Sequence, residues 1–230
     1  GVNLPLDRDY TTEALGFERM QLSPIYAQNS RGKFELQGID ALGQALLDVR
    51  RFAWDVSLYT TAEFAFVTLP DHFTTGSSIM PNKRNPDVIE LLRAAYSTVA
   101  GARAELVATQ SLPSGYHRDL QNTKPPLIRA FAKGLTAVSL VADVVSEMDF
   151  DRARMAAAIS PDMYATDVAI ELAASGTPFR EAYREAAKTG LDTDRKPQES
   201  IDARVSPGGA ADPRLDELVA RLEALQNDGE

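Results

Sequence analysis

Apolar residues recur every three or four positions along three long stretches of this chain, the spacing of one face of an α-helix. Between Phe34 and Phe66, the positions Ile39, Leu42, Leu46, Val49, Ala53, Val56 and Thr60 keep that step, and only the last is polar. Val88, Leu92, Ala95, Val99, Ala102 and Leu106 form a second seam, and Ile128, Phe131, Leu135, Val138, Ala142 and Val145 a third. Alternating steps of four and three belong to helices packed side by side. Each stretch predicts a helix of about 20 to 30 residues, or roughly 30 to 45 Å at 1.5 Å per residue. Such lengths exceed the usual globular helix, so the expected fold is all-α, a long-helix bundle within one chain or shared between copies.

Local chemistry marks the helix boundaries. Asn85 is the expected N-cap of the second helix, Pro86 its first residue and Asp87 a first-turn acid. Leu112-Pro113-Ser114-Gly115 closes it, and the polar connection YHRDLQNTKPP leads into the third. Beyond residue 150 the rhythm shortens to segments near 151–159, 164–174 and 178–188, separated by Ser160-Pro161-Asp162 and Ser175-Gly176-Thr177-Pro178. The expected organisation is therefore a central bundle portion at 1–150, with a distinctive loop at 72–86, followed by a small helical C-terminal domain at 151–230. Within the latter, the Asp-, Pro-, Gly- and Ser-rich stretch 191–213 predicts an exposed, flexible loop. An amphipathic segment from Pro213 to Leu225 follows, with Leu215, Leu218, Val219 and Leu222 on one face.

Composition narrows the function classes. With 44% hydrophobic and 25% charged residues the chain has the balance of a folded globular protein. A formal net charge of -9 argues against nucleic-acid partners, because phosphate contacts require a positive surface. The absence of cysteine excludes disulfides and thiolate metal sites, and fits a reducing, cytoplasmic setting. No apolar run reaches the ~18 residues that would cross a membrane. The start, GVNLPLDRDY, lacks both the basic and the apolar region of a signal peptide. The chain opens on Gly1 rather than Met, so further sequence is expected before it.

The stretch GSSIMPNKRNPD, residues 76–87, breaks the helical rhythm and gathers Lys83 and Arg84 beside two serines in an otherwise acidic chain. A loop that ends at a helix N-terminus presents unpaired N–H groups and the positive end of the macrodipole, which favour a carboxylate by about 0.3 to 2 kcal/mol. Lys83 adds a full charge, Asn85 an amide, and Gly76 room for close backbone approach. Ser77 and Ser78 are the loop's potential nucleophiles or bases, and a serine becomes a base only where donors stabilise its alkoxide or a partner takes its proton. The bland reading of the same residues is a capping loop whose hydroxyls bond their own backbone and whose cations face solvent.

The longer string GSSIMPNKRNPDVIE resembles the signature of the fumarase and aspartase superfamily, whose members release fumarate by β-elimination. LPSGYHRDLQNTK at 112–124, EFAFVTLPDHFTTGSS before the signature and TPFREAY at 177–183 resemble argininosuccinate lyases in particular. The resemblance covers nearly the whole chain and weakens after about residue 190. It implies cleavage of argininosuccinate without a cofactor, Ser77 as general base, Lys83 and Asn85 binding the substrate carboxylate, and Ser78 as a further substrate-binding residue. Glu90 matches an acid that pairs with a family histidine. Tyr116, Gln121 and Lys124 match residues that contact the arginine end or the carboxylates.

Each of these has a bland counterpart. Tyr116 and Gln121 satisfy a polar connection, Lys124 starts a helix in solvent, and Glu90 is a first-turn acid favoured by the dipole. His72 and His117 are the chain's two histidines, and neither matches the family's catalytic histidine. His72 therefore reads as loop polarity and His117 as a rim residue. With no His or Cys cluster and no ligand-spaced carboxylates, no metal site is expected.

The chain departs from the family pattern in two places. Ser30-Arg31-Gly32-Lys33 stands where these lyases carry Ser-Asp-Arg-Asp, which displaces the arginine by one position and removes both acids. The family's N-terminal Thr/Ser-Asn and His-containing regions are also not within these residues. Family active sites are assembled from three regions on different subunits of a homotetramer, so this chain is expected to supply one region and to be inactive alone. Two alternatives stay open: another fumarate-releasing lyase, such as an adenylosuccinate lyase relative, and a noncatalytic helical scaffold that keeps the fold.

Overall fold

In the computed structural model, residues 2–112, 114–188 and 195–227 are described. The chain divides into two compact units, Gly1–Phe150 and Asp151–Glu230.

Unit 1 is built on three long helices, preceded by two short ones, α1 (Arg8–Ala14) and α2 (Pro24–Asn29), that carry no apolar rhythm. Asp7 and Ser23 cap these by accepting from the N–H groups of Tyr10 and Tyr26. Helix α3 spans Lys33–Tyr59, α4 spans Asp87–Gln110 and α5 spans Lys124–Glu147. The buried stripe of α3 is Ile39, Leu42, Leu46, Val49, Ala53 and Val56, and that of α4 is Ile89, Leu92, Ala95, Val99, Ala102 and Leu106. Both follow the sequence rhythm, except that Ile89 rather than Val88 takes the innermost place in the first turn of α4.

Helix α5 forms where expected but turns a different face inward. Its buried residues are Pro126, Ala130, Gly134, Ala137 and Val144, whereas Ile128, Leu135, Val138, Ala142 and Val145 of the expected seam are exposed and Phe131 is half-buried. The helix is apolar on two sides, and the side on which Ala130, Gly134 and Ala137 permit close approach lies against α3 and α4, with Leu127, Leu140 and Val141 partly buried beside them. Two ion pairs rivet the three helices from outside: Arg103 Nε to Asp40 and Arg129 Nη2 to Glu105, both at 2.6 Å.

A two-residue strand, β1 (Val67–Thr68), pairs antiparallel with β2 (Asp149–Phe150), in register Val67 with Phe150 and Thr68 with Asp149. This bridge ties the segment between α3 and α4 to the end of α5. The polar connection expected before α5 is itself a 3-10 helix, Arg118–Thr123.

Unit 2 comprises α6 (Arg152–Ala157), α7 (Ala165–Ala174), α8 (Phe179–Lys188), α9 (Pro197–Asp202) and α10 (Leu215–Asn227). Helices α7 and α8 bury Ala169, Ala182 and Ala186. The stretch expected as loop at 191–213 contains α9: Pro197 starts it, and the Glu199 carboxylate accepts from the Lys196 N–H at 3.2 Å. Residues 191–194 of that stretch lie outside the described residues. Helix α9 is held by Asp167, a buried acid on α7 that accepts from the Ser200 hydroxyl and pairs with Arg204 at 3.0 Å and Arg195 at 3.7 Å. Arg195 also pairs with Glu171, whose hydrogen bond holds the guanidinium more firmly protonated. Among the described residues, no helix is long and apolar enough to cross a membrane.

Candidate active site

The loop at 76–84 leaves and re-enters the fold at one place. Thr75 and Asn85 form an isolated antiparallel bridge, with Thr75 N–H to Asn85 O at 3.0 Å and Asn85 N–H to Thr75 O at 2.8 Å. Asn85 is consequently not the N-cap of α4. Its backbone is committed to Thr75, Pro86 takes the capping position, and the Asn85 amide donates to the Gly76 carbonyl at 3.5 Å. The sequence rule for caps is local, and here a pairing across the loop overrides it.

Within the loop the Ser77 hydroxyl oxygen accepts from the N–H groups of Ile79 at 3.3 Å and Met80 at 3.1 Å. This is the self-bonded turn of the bland reading, and it has a chemical consequence. Two backbone donors aimed at one oxygen favour negative charge on it, which is the condition for a serine to act as a base. Ser77 is half-buried, while Ser78 and Lys83 are exposed. Lys83 makes no side-chain ion pair among the described residues, whereas Arg84 is engaged with Asp71. The two adjacent cations therefore differ: one is occupied within the fold and the other is available to an anion.

Glu90 is exposed in the first turn of α4 and opens onto a groove of about 710 Å³ between α3 and α4. Arg50, Arg51, Trp54, Arg93 and Ser97 line the same groove. The Arg93 guanidinium lies over the Trp54 ring at 4.7 Å and donates to the Ser57 hydroxyl at 3.3 Å.

Tyr116, Gln121 and Lys124 are brought together, but elsewhere. The Gln121 amide donates to the Tyr116 hydroxyl and its carbonyl oxygen accepts from Lys124 Nζ at 3.1 Å. The Arg31 guanidinium faces the Tyr116 ring at 5.9 Å. Gly115, at φ +99°, turns the chain and donates its N–H to the Asn29 side chain at 2.8 Å, which ties this cluster to α2. Pro113, which the sequence places in the same turn, lies outside the described residues.

The two groups sit at opposite ends of α4, whose 24 residues span about 36 Å at 1.5 Å per residue. No small substrate of this chain's own can touch Ser77 and Tyr116 together. His72 is more than loop polarity: its Nε2 lies 3.1 Å from Glu147 at the end of α5. Sequence reading also missed the Asp71 and Arg84 pair and the Arg93–Trp54 contact. Neither pair has a spacing that signals it, since the first joins two ends of a loop and the second two helices. Among the described residues, no group of His, Asp or Glu is arranged to hold a metal ion.

The family model described as "Lyase" matches residues 9–101. The chain is 60% identical over 228 residues to the argininosuccinate lyase of Stenotrophomonas maltophilia (strain R551-3), covering 98% of this chain and 53% of that protein. It is 58% identical over 228 residues to the argininosuccinate lyase of Xanthomonas campestris pv. campestris (strain B100), with the same coverage. The chain thus spans about half the length of the curated relatives it matches. A crystal structure of EDDS lyase in complex with formate superposes with a TM-score of 0.79 at 22% identity, over 97% of this chain and 53% of that one, and so shares the fold.

Proposed function

We propose that this chain belongs to the argininosuccinate lyase family and supplies part of an active site that cleaves argininosuccinate to arginine and fumarate by β-elimination. The observation that carries this reading is the 58–60% identity to argininosuccinate lyases along 98% of the chain. The donors around Ser77 support the following chemistry for this reading. Ser77, as alkoxide, takes the proton from the carbon beside a substrate carboxylate. The N–H groups of Ile79 and Met80 hold the charge on its oxygen beforehand. The electron pair left on carbon spreads into the carboxylate, and the resulting extra charge is met by Lys83 and Asn85. The pair then forms the double bond of fumarate as the carbon–nitrogen bond breaks. A proton delivered to the leaving nitrogen completes the reaction, and Glu90 is assigned to hold the group that delivers it. No cofactor enters any step.

Tyr116, Gln121 and Lys124 are assigned to the substrate's arginine end or carboxylates, with Ser78 beside the base. Since α4 separates them from Ser77, one catalytic centre takes the Ser77 loop from one copy and the Tyr116 cluster from another. The exposed apolar face of α5, with Ile128, Leu135, Val138 and Val145, supports packing between copies, and we assign a homotetramer. A cysteine-free chain fits a reducing cytoplasm.

The test is to add argininosuccinate to the complete gene product and follow fumarate by its ultraviolet absorbance. Fumarate release that Ser77→Ala abolishes is the expected result. Release from adenylosuccinate instead, or from neither substrate by a correctly assembled protein, overturns the reading.

A further inference from the structure

Asp71, His72 and Phe73 form a 3-10 turn just ahead of the 76–84 loop, and each is tied to a different part of unit 1. Phe73 is buried in the core. His72 meets Glu147 on α5 at 3.1 Å. Asp71 pairs with Arg84, whose Nη2 also reaches the Leu69 carbonyl at 3.5 Å. The turn is thus a post anchored in the core and on α5, and the chain leaving the loop is strapped to it one residue before the Thr75 and Asn85 bridge.

The geometry points to Asp71 and Arg84 as positioning residues for the reaction. Their ion pair closes the neck of the 76–84 loop from outside and sets where the Ser77 hydroxyl and the Lys83 ammonium lie. The chemical consequence rests on the lyase reading above; the clamp itself does not. The pair is exposed, and exposed ion pairs add little to global stability. Its effect therefore lies in loop placement, where a shift of about 1 Å at a reacting group costs on the order of a hundredfold in rate. The division of labour between the two cations follows. Arg84 is spent on the neck, so that of the adjacent pair Lys83 is the one left for the substrate.

The experiment compares Asp71→Asn, Arg84→Gln and the charge-swapped double variant Asp71→Arg with Arg84→Asp, all in the complete gene product. Hydrogen exchange at the Ile79 and Met80 amides, which bond to Ser77 Oγ, reads the loop directly without substrate. Each single variant is expected to speed that exchange and to lower kcat about tenfold or more with KM changed less than about threefold. The swap is expected to recover most of both. Wild-type exchange in both single variants overturns the clamp. Recovery of exchange by the swap without recovery of kcat overturns the positioning role, since it means that Arg84 acts on the substrate itself. Exchange decides the clamp even where no fumarate forms, a result that instead removes the lyase reading.

Discussion

Gly134 of α5 lies against Leu42 of α3 so closely that a Cβ on the glycine would meet Leu42 Cδ2 at 2.6 Å and Cγ at 2.9 Å. The crossing of these two helices therefore depends on a missing methyl group. It sets the face that α5 turns inward, and with it the large apolar side chains left outside.

Gly134→Ala is expected to destabilise the protein by about 1 to 3 kcal/mol, through overpacking against Leu42. Gly101, in the middle of α4, is the control, since a Cβ there meets nothing within 4 Å. Gly101→Ala is expected to stabilise by roughly 0.5 to 1 kcal/mol, the helix-propensity difference. Denaturant midpoints of the two variants check both signs.

On the proposed role of Ser77 as general base, Ser77→Ala is expected to lower kcat by about two to four orders of magnitude. Both hydrogen bonds to its oxygen come from residues within three positions, so the fold is expected to stay intact. Unchanged circular dichroism alongside lost fumarate release is the outcome to look for.

Mixing two inactive variants tests the separation along α4. If Ser77→Ala and Lys124→Ala each abolish activity, chains mixed by denaturation and renaturation are expected to regain part of it. Some centres then take an intact Ser77 loop from one copy and an intact Tyr116 cluster from the other. Mixed chains that stay inactive contradict a shared centre.

Removing the buried carboxylate of unit 2 tests what holds α9. Asp167→Ala removes the carboxylate that Ser200 and Arg204 share while Arg204 still donates to the Ser200 hydroxyl at 2.7 Å, and is expected to cost about 1 to 3 kcal/mol, below the range for a fully buried pair. Amide exchange is expected to rise first across 197–204. Uniform protection in the variant indicates that apolar packing alone holds the segment.

The candidate site was legible where its chemistry is local. Ser77, Lys83 and, to within one residue, the start of α4 come from one short string, and the donors that reach Ser77 lie within it. Tyr116, Gln121 and Lys124 likewise fall within nine residues of chain and meet each other. Asp71, His72 and Arg93 carry no such mark, because their partners Arg84, Glu147 and Trp54 lie on other elements or across a loop.

By itself, the sequence determined the all-α class, the three long helices and the buried stripes of α3 and α4. Their buried positions recur at the steps of three and four that the sequence shows, so those stripes can be read from spacing alone. Tertiary structure decided the rest. Helix α5 is apolar on two sides, and close approach of Gly134 to Leu42 goes with the side on which Ala130, Gly134 and Ala137 are flanked by Leu127, Phe131, Leu140 and Val141. Asn85 satisfies its backbone with Thr75 instead of capping α4, a choice that exists only once the loop has closed. The rigid length of α4 then keeps the Ser77 loop and the Tyr116 cluster apart. Spacing along a chain records which face is apolar, but which groups meet is settled by whichever packing leaves the least void and the fewest unpaired polar groups.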